Sequence, residues 1–510
     1  VRRLGGVALA LGVLGIGLTA LGPLLPAMAD HVWGSDYAWT HRDFLGGWWL
    51  WWASGHGGAA RWLALQSWPE GALPLVFHIP NPWDGWLLGP LGLPMPLGWN
   101  LASLGHHLGN LLAAALLLRA QGLRLGTTFI ITALLATCPV SLSEISGGRT
   151  LSGVAWPGLL ALVALHRPGG RAGVAAGLLL GLQGLCYLYT GLLFGLAALI
   201  LRPRAGLLAA ALPLLPYAIW LSPLRGAFPS EAPPAGFTRL PLAGALGHDL
   251  VPERLRLQPA LLLGLLTPLA LRGQRRWLAV TLLAGTIALG PTVGWTREQP
   301  LFVSPFAWAL HLVPGLSRMH HPLRAIFLFV PALGLLLGRG LDRLPLPLRA
   351  LPLGAALAFL PATRLATSVG ASGEPTGAEA ARWVADHGGT AVVDLSGEGG
   401  AALGLQTVHG LPMLEGLRPR REDDVGGRLR RRCDAWLRGE RDPSLPADLR
   451  AAGFSHVLAI ERDGRQIPDT LEQDLGPPVA PGVYALPPAP GAQPPGGAEP
   501  PGGAAPSEGG

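Results

Sequence analysis

Lysine is missing altogether: the 38 basic residues are all arginine, and charged side chains make up only 14% of the 510 residues. A soluble chain needs roughly 25% charge to cover its surface. That scarcity, with half the residues apolar and a mean hydropathy of +0.38, excludes an ordinary water-soluble protein. Only three cysteines occur, Cys138, Cys186 and Cys433, too scattered for a disulfide framework or a zinc-ligand spacing. No basic stripe with interleaved aromatics accompanies the net charge of +7, so nucleic acid is excluded as a partner. The arginine bias, with its alanine, glycine, proline and leucine excess, reads as GC-rich coding. Period-2 alternation is also absent, which excludes a membrane β-barrel. No internal repeat stands out.

Long apolar stretches are what the sequence does have. Uncharged runs cover residues 4–29, 85–118, 125–143, 172–201, 205–224 and 277–296. Several exceed the ~20 residues that cross a bilayer core. Backbone polar groups there must bond internally, so repeated runs of this kind mean bundled helices. The first run, preceded by Arg2 and Arg3 and ending in Ala27-Met28-Ala29, imitates a secretory signal, but is too long for a typical apolar core of about 7–15 residues. It is read as the first spanning helix.

The links between runs sort by charge. Arg2 and Arg3 precede helix 1; Arg119 and Arg124 separate helices 2 and 3; Arg167 and Arg171 separate 4 and 5. Arg202 and Arg204 follow helix 6, Arg272, Arg275 and Arg276 separate 8 and 9, and Arg339, Arg343 and Arg349 separate 10 and 11. Every second link is short and arginine-rich, as cytoplasmic loops are. The alternation holds only if residues 172–201 form two short helices turning near 187–190. The sequence therefore predicts an α-helical polytopic bundle of about eleven transmembrane helices over residues 1–365, with its N-terminus cytoplasmic. The links at 31–96, 141–150, 222–258 and 295–322 then lie outside the cytoplasmic (inner) membrane.

Beyond residue 373 the pattern changes to that of a small α/β domain, 374–486, expected on the extracytoplasmic side. Thr376 with Glu379 reads as a capping box for a helix over 378–387. Strands are expected at 390–395 and 454–460, with a helix over 446–452 stopped by Gly453. Residues 487–510, almost all proline, glycine and alanine, are expected to be a disordered tail.

Candidate chemistry gathers in the outer links. The first, 31–96, holds Asp36, Asp43 and Trp48-Trp49-Leu50-Trp51-Trp52. Tryptophans suit a bilayer interface, and indole faces also stack on sugar rings. A carboxylate such as Asp43 at the membrane lip is placed to act as a general base on a hydroxyl, or is a solvated loop acid. The second link carries Glu144 and Arg149. Before helix 10 stand Arg318, His320, His321 and Arg324, four residues suited to a lipid-linked phosphate or to lipid headgroups. A neighbouring histidine pair is not a dedicated metal site. Neither a metal nor another cofactor is expected.

This arrangement resembles the GT-C superfamily of membrane glycosyltransferases, including YfhO-type and polyprenyl-phosphate-sugar-dependent mannosyltransferase-like proteins. The resemblance is carried by Asp43 through Trp52, by His106-His107-Leu108-Gly109-Asn110-Leu111, by 314–324 and by 405–412. It implies a membrane hexosyltransferase that moves a sugar from a polyprenyl-phosphate carrier to a lipid, glycan or protein acceptor on the outer face. Asp43 would be the base, with Asp36 or Glu144 as the further acid. Arg318, Arg324, His320, His321 and Arg149 would hold the phosphate. Its partners would be the lipid-linked donor, the acceptor and membrane lipids. The first loop departs from the family's pattern in lacking adjacent paired acids. A transporter or flippase, or a scaffold for cell-envelope glycan assembly, is the alternative reading. Nearly bare mid-helix positions weigh against transport.

Overall fold

A computed structural model describes residues 2–29, 31–33, 88–146, 153–167, 169–221, 240–242, 257, 261, 274–296, 299–312, 321–349, 351, 369–372, 377–395, 405–406, 408–414, 425–461 and 467–487. Two compact units divide the chain, Val1–Trp62 with Leu73–Pro375 and Leu63–Ala72 with Thr376–Gly510. The sequence-based expectations for helices 8 and 11, for most of the first outer link and for the tail lie outside the described residues.

The first unit is helical: α1 (Arg2–Ala20), α2 (Met95–Ala120), α3 (Leu125–Ala136), α4 (Pro139–Ser146), α5 (Trp156–Ala164), α6 (Gly170–Cys186), α7 (Leu188–Leu201), α8 (Pro203–Leu221), α9 (Arg275–Ala288), α10 (Pro305–Leu312) and α11 (Ile326–Leu341). Two stretches among the described residues have the length and apolarity to cross a membrane, Pro96–Ala120 and Pro322–Leu341. The second comprises a 3-10 turn, Pro322–Ala325, running into α11, which is buried along most of its length. Shorter apolar helices pack around them.

Two expected runs break at prolines. The first span stops being α-helical at Ala20 and tightens into a 3-10 turn, Gly22–Ala27, holding Pro23 and Pro26. The run 125–143 is not one helix, because Pro139 lacks the N–H that a helix interior needs and α4 starts there anew. The run 172–201 is indeed two helices, broken at Tyr187, whose φ of −160° and ψ of 111° are extended. A Cβ on Gly191 would come 2.7 Å from Gly184 Cα, so the chain doubles back directly. Arg202 makes a second one-residue break before α8. Glycines also bring α6 and α8 together: at Gly177 a Cβ would meet Leu212 Cδ1 at 2.7 Å and the Ala209 carbonyl at 3.2 Å. Small residues at four-residue spacing allow such approach where no water drives packing.

Arginine-rich links converge at one end of this unit. Asp342, just beyond α11, accepts hydrogen bonds from Arg124 N (3.0 Å) and Thr127 Oγ1 (2.6 Å), so it caps the start of α3. Arg339 reaches the Gln121 carbonyl, and Gln121 meets His166. Arg276 Nη1 donates to Leu201 O at 2.8 Å. At the opposite end, strand β1 (His31–Trp33) buries Trp33 among Leu21, Leu24, Leu142 and Ile145. Asn100 of α2 accepts from Trp33 N at 2.8 Å and donates to Met28 O at 2.9 Å. After α9 come an antiparallel pair, β2 (Thr292–Gly294) with β3 (Pro300–Val303); β4 (Val369–Ser372) pairs antiparallel with β1.

The second unit holds α12 (Ala378–His387), β5 (Val392–Asp394), α13 (Val425–Leu437), α14 (Leu445–Ala451), β6 (His456–Leu458), α15 (Thr470–Leu475) and β7 (Val483–Ala485). Its sheet runs β5-β6-β7, the first pair parallel and the second antiparallel. Trp436, Phe454, Leu449 and Cys433 fill the core. Thr376, expected to cap α12, lies outside the described residues. Gly377 occupies the N-cap of α12 with φ +90°, and no side chain caps it. Gly453 ends the α14 segment with φ +92°. Arg432 on α13 bonds Asp442 and Asp448, both at 2.6 Å, which raises its own pKa and lowers that of Asp442 to about 2.

Candidate functional site

The end of the first unit that buries Trp33 also gathers the polar side chains of several helices. On α2, His106 and His107 lie four and three residues before Asn110, so each neighbours Asn110 on the helix surface. Asn110 is committed to the segment before α5. Its Nδ2 donates to Gly153 O and its Oδ1 accepts from Ala155 N, both at 2.8 Å. Gln183 of α6 secures the same segment from the other side, donating to Val154 O at 2.7 Å and accepting from Gly158 N at 3.0 Å. The second amide hydrogen of Gln183 goes to Thr190 Oγ1 at 2.8 Å, across the α6–α7 break. In a low-dielectric interior, a network satisfied in this way fixes one arrangement of the backbone. Trp156 is held as well, with its indole against Gly109 and its Nε1 donating to His106 Nδ1 at 3.2 Å.

Glu144 stands on α4 with 8% exposure, one turn beyond Ser141. A Cβ on Gly153 would lie 3.7 Å from Glu144 Cβ and 3.0 Å from the Phe327 ring. The absence of a side chain at 153 thus lets α4 approach the start of α11. Arg324, on the 3-10 turn one turn before Phe327, is also 8% exposed. Its Nη1 donates to Tyr187 Oη at 2.7 Å, and its guanidinium carbon is 4.6 Å from the Tyr187 ring centre. His321 is half-buried and its carbonyl accepts from Arg324 N at 3.0 Å, closing the turn that presents the arginine. A cavity of about 40 Å3 lies between α2, α3, α4, α5 and α11, with Ser141 of α4 and Phe327 of α11 in its lining.

Of the residues singled out from sequence, Glu144, His321 and Arg324 are described, and Glu144 and Arg324 come to the same end of the bundle. Asp36, Asp43, Arg149, Arg318 and His320 lie outside the described residues. Trp33, three residues before Asp36, is pinned at that end. Gln183 was not anticipated, and Asn110 and Tyr187 were read only as part of a motif and as a turn position, not as site residues. Their signal was present, since each is a polar side chain within or beside an apolar run. Among the described residues no three histidine, cysteine, aspartate or glutamate side chains gather as a metal site.

No protein-family model matches the chain, and no curated protein is similar enough in sequence to match it. Solved structures do. The arabinofuranosyltransferase AftD from Mycobacteria superposes with a TM-score of 0.55 and 18% identity, over 92% of this chain and 36% of that one. The Archaeoglobus fulgidus oligosaccharyltransferase in its apo form superposes with a TM-score of 0.52 and 13% identity, over 89% of this chain and 69% of that one. The fold is GT-C-like. The mostly helical first unit, with two apolar stretches among the described residues long enough to cross a membrane, fits a helical membrane protein. The chain spans about a third of the length of AftD.

Proposed function

We propose that the protein is a membrane glycosyltransferase that moves a sugar from a polyprenyl-phosphate carrier to a lipid, glycan or protein acceptor at the outer face of the cytoplasmic membrane. The observation that carries this reading is that Glu144, across Gly153 from Phe327, and the Tyr187-held Arg324, one turn before Phe327, come to the same end of a GT-C-like bundle. In this reading about eleven helices span the membrane, the arginine-rich end faces the cytoplasm and the second unit is extracytoplasmic. Convergence of the arginine-rich links supports that orientation.

The reaction is a single inverting displacement. A carboxylate takes the acceptor's hydroxyl proton as its oxygen bonds to the anomeric carbon, and the bond from that carbon to the phosphate oxygen breaks. Asp43 is assigned as the base, with Asp36 or Glu144 as the further acid. Arg324, with Arg318, Arg149, His320 and His321, neutralises the phosphate that leaves. A guanidinium already oriented by Tyr187 stabilises that charge with little reorganisation.

Transfer from radiolabelled polyprenyl-phosphate sugars in membranes tests the reading. Asp43→Asn and Arg324→Ala are each expected to reduce transfer by about 100-fold or more with the protein still inserted. If Asp43→Asn keeps full activity while Glu144→Gln abolishes it, the base is Glu144. Absence of transfer by the wild type with every lipid-linked donor tried would overturn the reading.

A further inference from the structure

His107 sits well inside α2, at a depth where titratable side chains are costly and mark function. It is 5% exposed, and its Nε2 makes no hydrogen bond among the described residues. It lines the cavity of about 40 Å3, together with Asn110, Ser141, Ala155, Phe327 and Pro331. That volume admits a few water-sized groups. The Asn110 amide is fixed by Gly153 and Ala155, which take one of its two N–H donors and one lone pair of its oxygen. The imidazole nitrogen and the Ser141 hydroxyl, beside the Asn110 amide, are the polar side-chain groups of a wall that is otherwise apolar. Ser141 precedes Glu144 by one turn of α4 and Phe327 follows Arg324 by one turn, so two walls of the cavity continue from the segments that carry the carboxylate and the guanidinium.

A phosphate does not suit this recess, since no cation lines it. A hydroxyl on a short carbon stem does: the stem meets apolar side chains, and the hydroxyl pairs with His107 Nε2 and Ser141. We infer that the recess receives the hydroxymethyl arm of a lipid-linked sugar, which makes His107 a specificity-determining residue. The inference rests on the reading of the site as one for lipid-linked sugars. A sugar with a methyl group in place of the hydroxymethyl would leave Nε2 unpaired, and sites built for a hydroxyl reject such analogues strongly.

The test is equilibrium binding to the full chain in detergent, with farnesyl-phosphate mannose and farnesyl-phosphate 6-deoxymannose as probes. The wild type is expected to bind the hydroxymethyl form about 10-fold tighter or more. His107→Leu is expected to bring the two affinities within about 2-fold by weakening that form alone, and His107→Gln to restore part of the preference. If His107→Leu does not fold, the wild-type preference and its reduction by Ser141→Ala decide instead. Equal affinities in the wild type, or an undiminished preference in the folded His107→Leu or Ser141→Ala variant, would overturn the inference. A preference that depends on His107, with no sugar transfer in membranes, would remove the transferase and keep the recess. Transfer without any preference would do the reverse.

Discussion

Arg324 is held twice by one residue: its Nη1 bonds the Tyr187 hydroxyl at 2.7 Å while its guanidinium carbon is 4.6 Å from the centre of the same ring. Tyr187 occupies the extended break between α6 and α7, so the backbone irregularity and the arginine's orientation are one feature. Tyr187→Phe keeps the ring and removes the hydroxyl. It is expected to lower the initial rate of sugar transfer by about 3- to 10-fold, the loss of one modest hydrogen bond. Arg324→Lys, which loses the planar fork, is expected to cost more. A Tyr187→Phe enzyme at full rate would mean that ring contact alone orients the guanidinium.

Asn110 is expected to be structural. Asn110→Ala strips partners from Gly153 O and Ala155 N, at a cost of about 1–3 kcal/mol for each group left unsatisfied. Thermal unfolding of the purified protein in detergent should show a clearly lower midpoint. An unchanged midpoint would mean that the segment before α5 finds other partners.

The close passage of α7 and α8 can be tested with a single methyl group. A Cβ on Gly206 would overlap the Ala198 carbonyl, which is backbone and cannot swing aside. Gly206→Ala is expected to destabilise the protein by roughly 1–3 kcal/mol, or more if the helices cannot separate. Gly195→Ala, whose Cβ would have 3.9 Å to its nearest neighbour, Ala210 Cβ, is the matched control and is expected to be near neutral. Equal loss of folded protein in both variants would count against the tight turn at Arg202.

In the second unit, His409 gives a pH dependence whose sign is fixed. Burial lowers its pKa from 6.5 to about 3, while its Nδ1 accepts from Leu411 N at 3.0 Å. The unfolded chain therefore binds a proton that the folded unit excludes. Stability is complete above about pH 6.5 and falls as pH drops toward 3, with a slope of up to about 1.4 kcal/mol per pH unit. His409→Asn retains an acceptor and cannot titrate, so its melting curve should flatten between pH 6.5 and 4. Asp442 acts in a lower window. Its pKa is depressed from 3.8 to about 2 by Arg432, so its contribution holds above 3.8 and disappears as pH falls through 2.

Much of this was legible because membrane helices advertise themselves. The break inside 172–201 followed from the charge alternation of its flanking links, and Tyr187 supplies it. In the second unit the helix at 378–387 and the strands at 392–394 and 456–458 stood out by pattern. The division at Pro139 was missed, since hydropathy alone runs straight through Cys138 and Pro139. So was α13, where four arginines obscure the helical spacing of Leu429, Cys433 and Trp436. Gly377 at the N-cap of α12 was not read from the sequence, because a left-handed backbone position leaves no side-chain signal. The Arg324–Tyr187 pairing was beyond reach, joining residues 137 positions apart.

The two one-residue turns have a consequence for biosynthesis. At 17 and 14 residues, α6 and α7 measure roughly 26 and 21 Å, each short of the bilayer core. Neither is suited to partition into lipid alone, and the link at Tyr187 is too brief to let one wait for the other. They are suited to leave the translocon as a pre-folded pair. A ribosome stalled between them would strand a polar Gln183 and Thr190 before their mutual bond could form.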